Sequence, residues 1–160
     1  MTEELTNLQK QAVSMGIVVD TDHLHQVSEP IGEIEDTELL KLIDKMERIL
    51  IVTKGVGLAM PQIGILKRGF IMYDSENNNI ISVINPIIKK EYWQKEYAQE
   101  GCLSIVDKLI TIGRAKKITI EYFTVINKNI KEVRREFRDF GARVAAHEID
   151  HLNGVLIIDH

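Results

Sequence analysis

Two histidines and a glutamate near the end of the chain have the spacing of a metal site. His147, Glu148 and His151 form the pattern H-E-x-x-H. In a helix, residues i and i+4 lie about 40° apart around the axis, so both imidazoles can reach one ion. Glu148 then lies beside the ion without being a ligand and can exchange protons with a water. The pattern predicts metal-dependent hydrolysis; the alternative is a helix with two surface histidines.

The third ligand of this site is not found downstream. A catalytic zinc-type centre usually has three protein ligands and one open position. One metalloprotease pattern continues H-E-x-x-H-x-x-G-x-x-H, and Gly154 fits it, but Ile157 stands where the third histidine belongs. No glutamate follows Glu148, and His160 is the only other imidazole after His151. The third ligand is therefore expected upstream.

Cys102 is the strongest upstream candidate, in the segment E-G-C-L-S. It is the only cysteine of the chain, so the alternative is a buried and inert side chain. A set of one thiolate and two imidazoles suits Fe²⁺, Zn²⁺, Co²⁺ or Ni²⁺ and disfavours Ca²⁺ and Mg²⁺. Taken together with the histidines, the cysteine is interpreted as a ligand.

A glycine-rich segment, G-V-G-L-A-M-P-Q, covers positions 55–62. It lacks the lysine and the spacing of a phosphate loop. Its glycines would let the backbone approach an extended peptide closely. The amide of Gln62 could polarise a carbonyl opposite the metal. The alternative is an ordinary loop between a helix and a strand.

These three motifs, taken in order, resemble the peptide deformylase family. The family's motifs are G-x-G-L-A-x-x-Q, E-G-C-L-S and H-E-x-D-H, and they match Gly55–Gln62, Glu100–Ser104 and His147–His151. The resemblance extends from about Leu24 to Asp159. Three motifs in the same order are far more specific than any one of them.

The resemblance implies removal of the N-formyl group from the initiator formyl-methionine of new polypeptides, with release of formate. It implies Fe²⁺ held by Cys102, His147 and His151, with Zn²⁺, Ni²⁺ or Co²⁺ able to replace it. The ion would activate a water, and Glu148 would carry its proton to the leaving amine. The implied partners are N-formylmethionyl nascent peptides near the ribosome, and a monomer is expected.

The resemblance also implies how the substrate is bound. Gln62 and the backbone N–H of Leu103 would stabilise the oxyanion. The backbone of Val56 and Gly57 would pair with the extended substrate. Val144 would line the methionine pocket together with the first metal histidine.

Some positions depart from the family pattern without removing a catalytic group. They are expected to affect substrate fit. The departures are Met60, Val106, Leu109 and Ala146. Arg114, by contrast, matches a family arginine that pairs with Glu100, so we interpret it as structural.

Two other functions are compatible with part of this pattern. One is a metallopeptidase that cleaves internal peptide bonds, which the missing downstream ligand disfavours. The other is an inactive homologue that binds a metal only for stability. Such a site would need neither Gln62 nor Glu148, so their presence disfavours it.

The composition is that of one globular domain covering residues 1–160. The net charge is −4 and the pI about 5.7, which gives no support for a basic surface that binds nucleic acid. A lone cysteine excludes an internal disulfide and fits a reducing compartment. The start of the chain is acidic, unlike a signal peptide, and no stretch approaches the roughly 20 apolar residues of a membrane span. We therefore expect a cytoplasmic protein that does not bind membranes.

The pattern of apolar residues indicates the elements that position these motifs. Apolar residues recur at helical spacing in three segments and at strand spacing in five. The sequence predicts an α+β fold: a single domain with mainly antiparallel sheets packed around a C-terminal metal-binding helix, and an N-terminal helix before the sheet. The predicted helices are 2–15, 36–52 and 139–152, and the predicted strands are 69–73, 80–85, 91–98, 117–125 and 130–137.

Overall fold

The computed structural model describes residues 2–32 and 36–160. Helices and strands are segregated along the chain, as the α+β prediction requires, with the helices near the two ends and the strands between them. The helices are α1 (Thr2–Ser14), α2 (Thr21–Leu24), α3 (Asp36–Thr53) and α4 (Asp139–Leu152). The strands are β1 (Gly57–Ala59), β2 (Gly69–Asp74), β3 (Asn79–Glu91), β4 (Lys95–Cys102), β5 (Ile105–Ala115), β6 (Lys117–Ile126) and β7 (Asn129–Arg138).

The strands form two antiparallel sheets, which confirms the predicted fold class. The larger sheet has the order β1-β2-β3-β6-β7, and β4 and β5 form a separate hairpin. Each neighbouring pair of strands is antiparallel. Because the connections are short, most strands pair with a neighbour in sequence.

The larger sheet lies between α3 and α4, and successive residues of β2 show why. Phe70 and Met72 pack in the cluster that contains the apolar face of α4. Ile71, between them, packs in the cluster that contains α3. Side chains of a strand alternate between the two faces of its sheet, so a strand covered on both faces is apolar throughout.

Helix α4 is the element that carries the metal-binding pattern. Its buried side chains Val144, Ile149 and Leu152 hold it against the sheet. The helix ends at Leu152, and Gly154 follows with φ +71°, a conformation that glycine adopts without a steric cost. No described helix combines the length and apolar character needed to cross a bilayer.

The predicted strand boundaries are wrong around the hairpin of β4 and β5. The segment 91–98 was predicted as one strand, but β3 runs to Glu91 and β4 starts at Lys95. Between them the backbone turns, with Tyr92 bonded to Lys117 and Gln94 bonded to Lys116. Strand β5 was not predicted at all. Strand propensity reports how a segment fits a pleated surface, and not with which sheet it pairs.

Candidate active site

The three predicted metal ligands lie together. His147 and His151 project from α4, and Cys102 is the last residue of β4. Their ligand atoms all lie within 4.8 Å of one another, with Cys102 Sγ 3.3 Å from His151 Nε2. The hairpin brings the cysteine there because β5 packs against α4. The structure therefore assembles one thiol and two imidazoles from motifs that are distant in sequence.

The protonation of these groups favours a metal ion. His147 Nδ1 lies 2.9 Å from Glu100 Oε2, and donation of its proton to that carboxylate leaves Nε2 free as a ligand. Burial raises the pKa of the Cys102 thiol, but the charge of His151 and a hydrogen bond with His147 outweigh it and lower the pKa to about 5. The sulfur is thus a thiolate at neutral pH, the form that binds metals.

Glu100 is held by a cluster of buried side chains. Arg114 donates to both of its carboxylate oxygens, at 2.9 and 3.0 Å, which confirms the predicted pair. Arg143 adds a third bond of 2.7 Å. Burial raises the pKa of Glu100, but hydrogen bonds from His147 and Arg114 hold it well below its ordinary value. The carboxylate is therefore charged and fixed when it orients the imidazole of His147.

Arg143 was missed by the sequence interpretation. It stands one helical turn before His147 on α4, the spacing at which two side chains share a face. Its guanidinium also donates to the carbonyls of Ile112 and Glu96, at 3.0 and 2.6 Å. It thereby ties α4 to both strands of the hairpin that carries Cys102.

Glu148 lies beside the ligands with only 3% of its surface exposed. Among the described residues, nothing hydrogen-bonds its Oε2. Burial raises the pKa of Glu148 to about 7, which suits a group that accepts and returns a proton at neutral pH. An ideal Cβ on Gly57 would stand 2.2 Å from Glu148 Oε1. The glycine therefore makes room for this carboxylate.

Gln62 lies close to the thiolate, in a short 3-10 turn, Met60–Ile63. Its Oε1 accepts a hydrogen bond of 2.9 Å from the backbone N–H of Ala59. That bond directs the amide Nε2 toward Ser104 Oγ at 3.1 Å and Cys102 Sγ at 3.5 Å. A fixed amide donor is thus placed next to the ligand set.

The site opens into a cavity of about 440 Å³. Val56, Gly57, Leu103 and Val144 all line it, so the residues predicted to bind substrate share one cavity. Among the four positions that depart from the family pattern, only Leu109 is on the lining. The wall of the cavity also includes Leu8 and Gln9 of α1, which the sequence interpretation did not connect with the site.

The backbone of Gly57 faces away from the sheet. β1 pairs with β2 and, among the described strands, lies at the edge of its sheet. The carbonyl of Val56 accepts a hydrogen bond of 2.8 Å from the N–H of Tyr73, so this carbonyl points toward β2. Backbone groups alternate in direction along an antiparallel pair, so the N–H and C=O of Gly57 point outward. They are available to an extended peptide.

Comparisons with known proteins agree with this geometry. The family profile for polypeptide deformylase matches residues 16–160. The peptide deformylase of Halothermothrix orenii is 41% identical over 137 residues, which are 85% of each chain. The crystal structure of peptide deformylase from Thermotoga maritima superposes with a TM-score of 0.81 at 39% identity, covering 90% of this chain and 95% of that one.

A second similar structure contains a peptide. It is the Met-Ala-Ser-bound class I type b peptide deformylase from Acinetobacter baumannii, 30% identical, with a TM-score of 0.78. The match covers 86% of this chain and 91% of that one. Sequence and fold thus agree over nearly the whole chain from residue 16 onward. The chain belongs to the polypeptide deformylase family.

Proposed function

We propose that this protein removes the N-formyl group from formyl-methionine at the start of new polypeptides and releases formate. The observation that carries the proposal is one cavity that holds Cys102, His147, Glu148 and Gln62 together. His151 completes the ligand set behind them. The family relationship points to the same reaction. We propose that residues 1–160 form one catalytic domain.

The residues fit a divalent metal ion. Cys102, His147 and His151 offer one thiolate and two imidazoles whose ligand atoms lie within 4.8 Å of one another, and Glu148 Oε2 beside them is a buried atom that nothing else in the described chain hydrogen-bonds. A soft donor set of this kind suits Fe²⁺, and Zn²⁺, Ni²⁺ or Co²⁺ would also fit. When bound, the ion would supply Lewis-acid polarisation of the formyl carbonyl and of a water.

Glu148 moves the proton in the proposed reaction. Its carboxylate takes a proton from the attacking water as the oxygen of that water bonds to the formyl carbon. It then gives the proton to the amide nitrogen as the C–N bond breaks, leaving formate and a free amine. Its raised pKa, near 7, lets one group perform both transfers.

Other groups of the cavity hold the substrate in place. The amide of Gln62 and the backbone N–H of Leu103 donate to the oxyanion that forms at the formyl carbon. The outward N–H and C=O of Gly57 pair with the peptide as an added strand. Of the predicted Val56–Gly57 pairing we keep the Gly57 part, because the carbonyl of Val56 already accepts a hydrogen bond from Tyr73, and Val56 lines the same wall. Val144, beside His147 on α4, contacts the methionine side chain.

Formyl-methionine peptides arise at the ribosome, so we propose that the enzyme acts near it, in the cytoplasm, as a monomer. The resident ion is Fe²⁺. The protein recognises nascent peptides and binds neither nucleic acid nor membranes directly. The Met-Ala-Ser found in the Acinetobacter baumannii relative is the product that formyl-Met-Ala-Ser would give here.

The test is formate release from formyl-Met-Ala-Ser by protein loaded anaerobically with Fe²⁺ or Ni²⁺. We expect turnover of the formyl peptide and none of acetyl-Met-Ala-Ser, because the larger acyl group crowds the metal end of the cavity. Absence of formate from protein shown to contain one ion per chain would refute deformylation. Cleavage of internal bonds in an unblocked peptide would instead identify a metallopeptidase.

A further inference from the structure

Helix α1 lies outside the segment that the chain shares with its family. The family profile begins at residue 16, and α1 ends at Ser14. The helix is nevertheless docked on the protein, in contact with α3 and β5. Ala12 is fully buried in the cluster formed with α3. The helix is therefore packed against the domain, although the family profile does not cover it.

The same helix forms part of the cavity wall. Leu8 and Gln9 line the cavity that also contains Gly57, Leu103 and His147. The cavity that contains two of the predicted metal ligands, Cys102 and His147, is thus bordered in part by α1. Neither side chain belongs to the three motifs that the family shares.

Gln9 has an unused polar group. Its side chain is 8% exposed, and its Oε1 is buried without a hydrogen-bond partner in the part of the chain that the structure describes. A buried amide carbonyl without a partner is unfavourable. The amide offers both a donor and an acceptor, which are the groups needed to pair with a peptide backbone.

We propose that α1 is a specificity element, in which the Gln9 amide hydrogen-bonds the backbone of the residues after formyl-methionine and Leu8 makes an apolar contact beside it. This inference rests on the proposed function. It predicts that α1 distinguishes longer formyl peptides from formyl-methionine alone. Gln9 binds the substrate directly and takes no part in the bond-breaking step.

The test compares Gln9→Met and Gln9→Ala with Gln11→Ala in the full-length, Ni²⁺-loaded protein. Gln9→Met keeps the volume of the side chain and removes its amide. Gln11 is an exposed glutamine of the same helix and serves as the matched control. For formyl-Met-Ala-Ser, we expect both Gln9 variants to raise KM about five-fold, the effect of one neutral hydrogen bond, with kcat unchanged within two-fold.

The substrate comparison separates this role from a structural one. For formyl-methionine amide, which lacks the following residues, KM should be the same in all variants. Loss of α1 packing would instead lower the melting temperature and affect both substrates alike. An equal rise of KM for both substrates, or no change with either, would overturn the inference.

A binding measurement separates this inference from the proposed function. By titration calorimetry, Met-Ala-Ser should bind Gln9→Met about five-fold more weakly than the wild type. Equal affinities would overturn the role of Gln9. Absence of formate release from the wild type would overturn the proposed function alone, because calorimetry reads the cavity without turnover.

Discussion

Replacement of Gly57 by alanine tests the placement of the proposed general base, Glu148, without mutating Glu148 itself. The three atoms nearest to an ideal Cβ at this position all belong to the side chain of Glu148, at 2.2, 2.8 and 3.0 Å. The backbone of Gly57 does not have the left-handed φ that disfavours alanine. The effect of Gly57→Ala should therefore come from contact with the carboxylate.

The size of the effect follows from these distances. Ordinary contact with a Cβ begins at 3.4 Å, so the Glu148 oxygen at 2.2 Å must move by about 1 Å. A misplacement of that size costs on the order of 100-fold in rate, and loss of a general base costs about 100- to 10,000-fold. We expect kcat to fall about 100-fold or more. Metal content should not change, because Gly57 is not among the ligands.

The assay is steady-state formate release, with the metal content of each preparation measured in parallel. The matched control is Gly141→Ala on α4, where the new Cβ would lie 3.8 Å from Phe137 and make an ordinary contact. Its kcat should stay within about two-fold of the wild type, since the effect of helix propensity falls on stability. A kcat for Gly57→Ala within about three-fold of the wild type would refute the placement of Glu148.

Three further predictions concern the base, the support of the ligands and a distant ion pair. Glu148→Ala should lower kcat at least 100-fold while retaining one metal per chain, as measured by elemental analysis; loss of the metal would show that Glu148 is a ligand. Glu100→Gln should weaken metal affinity about 10- to 100-fold in a chelator competition, because the charged partner of His147 is lost; unchanged affinity would mean that Glu100 only supports the fold. Hydrogen bonds from Arg135 lower the pKa of Asp74 from 3.8 to about 2. Asp74→Asn should therefore lower the free energy of unfolding of the chelator-treated protein by about 2 kcal/mol at pH 7. That pKa is depressed in the folded chain, so the stabilisation is complete above pH 3.8 and is lost as the pH falls toward 2. In urea titrations, the difference between wild type and Asp74→Asn should shrink to about half by pH 3, and a difference that does not vary with pH would contradict the assignment.

The sequence by itself determined the local features of the site. Helical geometry alone places His147 and His151 on one face, because the spacing of four residues is close to one turn. The apolar pattern around them predicted α4 with the bounds that the structure has. The absence of a downstream ligand and the donor types predicted Cys102 as the third ligand, and the resemblance to the family agreed with that prediction. Such features depend on neighbours within a few residues, which the linear sequence contains.

Tertiary structure alone decided how these pieces meet. Strand β5 is defined by its pairing with β4, and that pairing carries Cys102 to within 3.3 Å of His151. The close approach of Gly57 to Glu148 depends on how β1 packs against α4. The contribution of α1 to the cavity has no signal in the motifs. Each of these depends on the packing of segments distant in the chain, and local propensity does not contain the partner of a long-range contact.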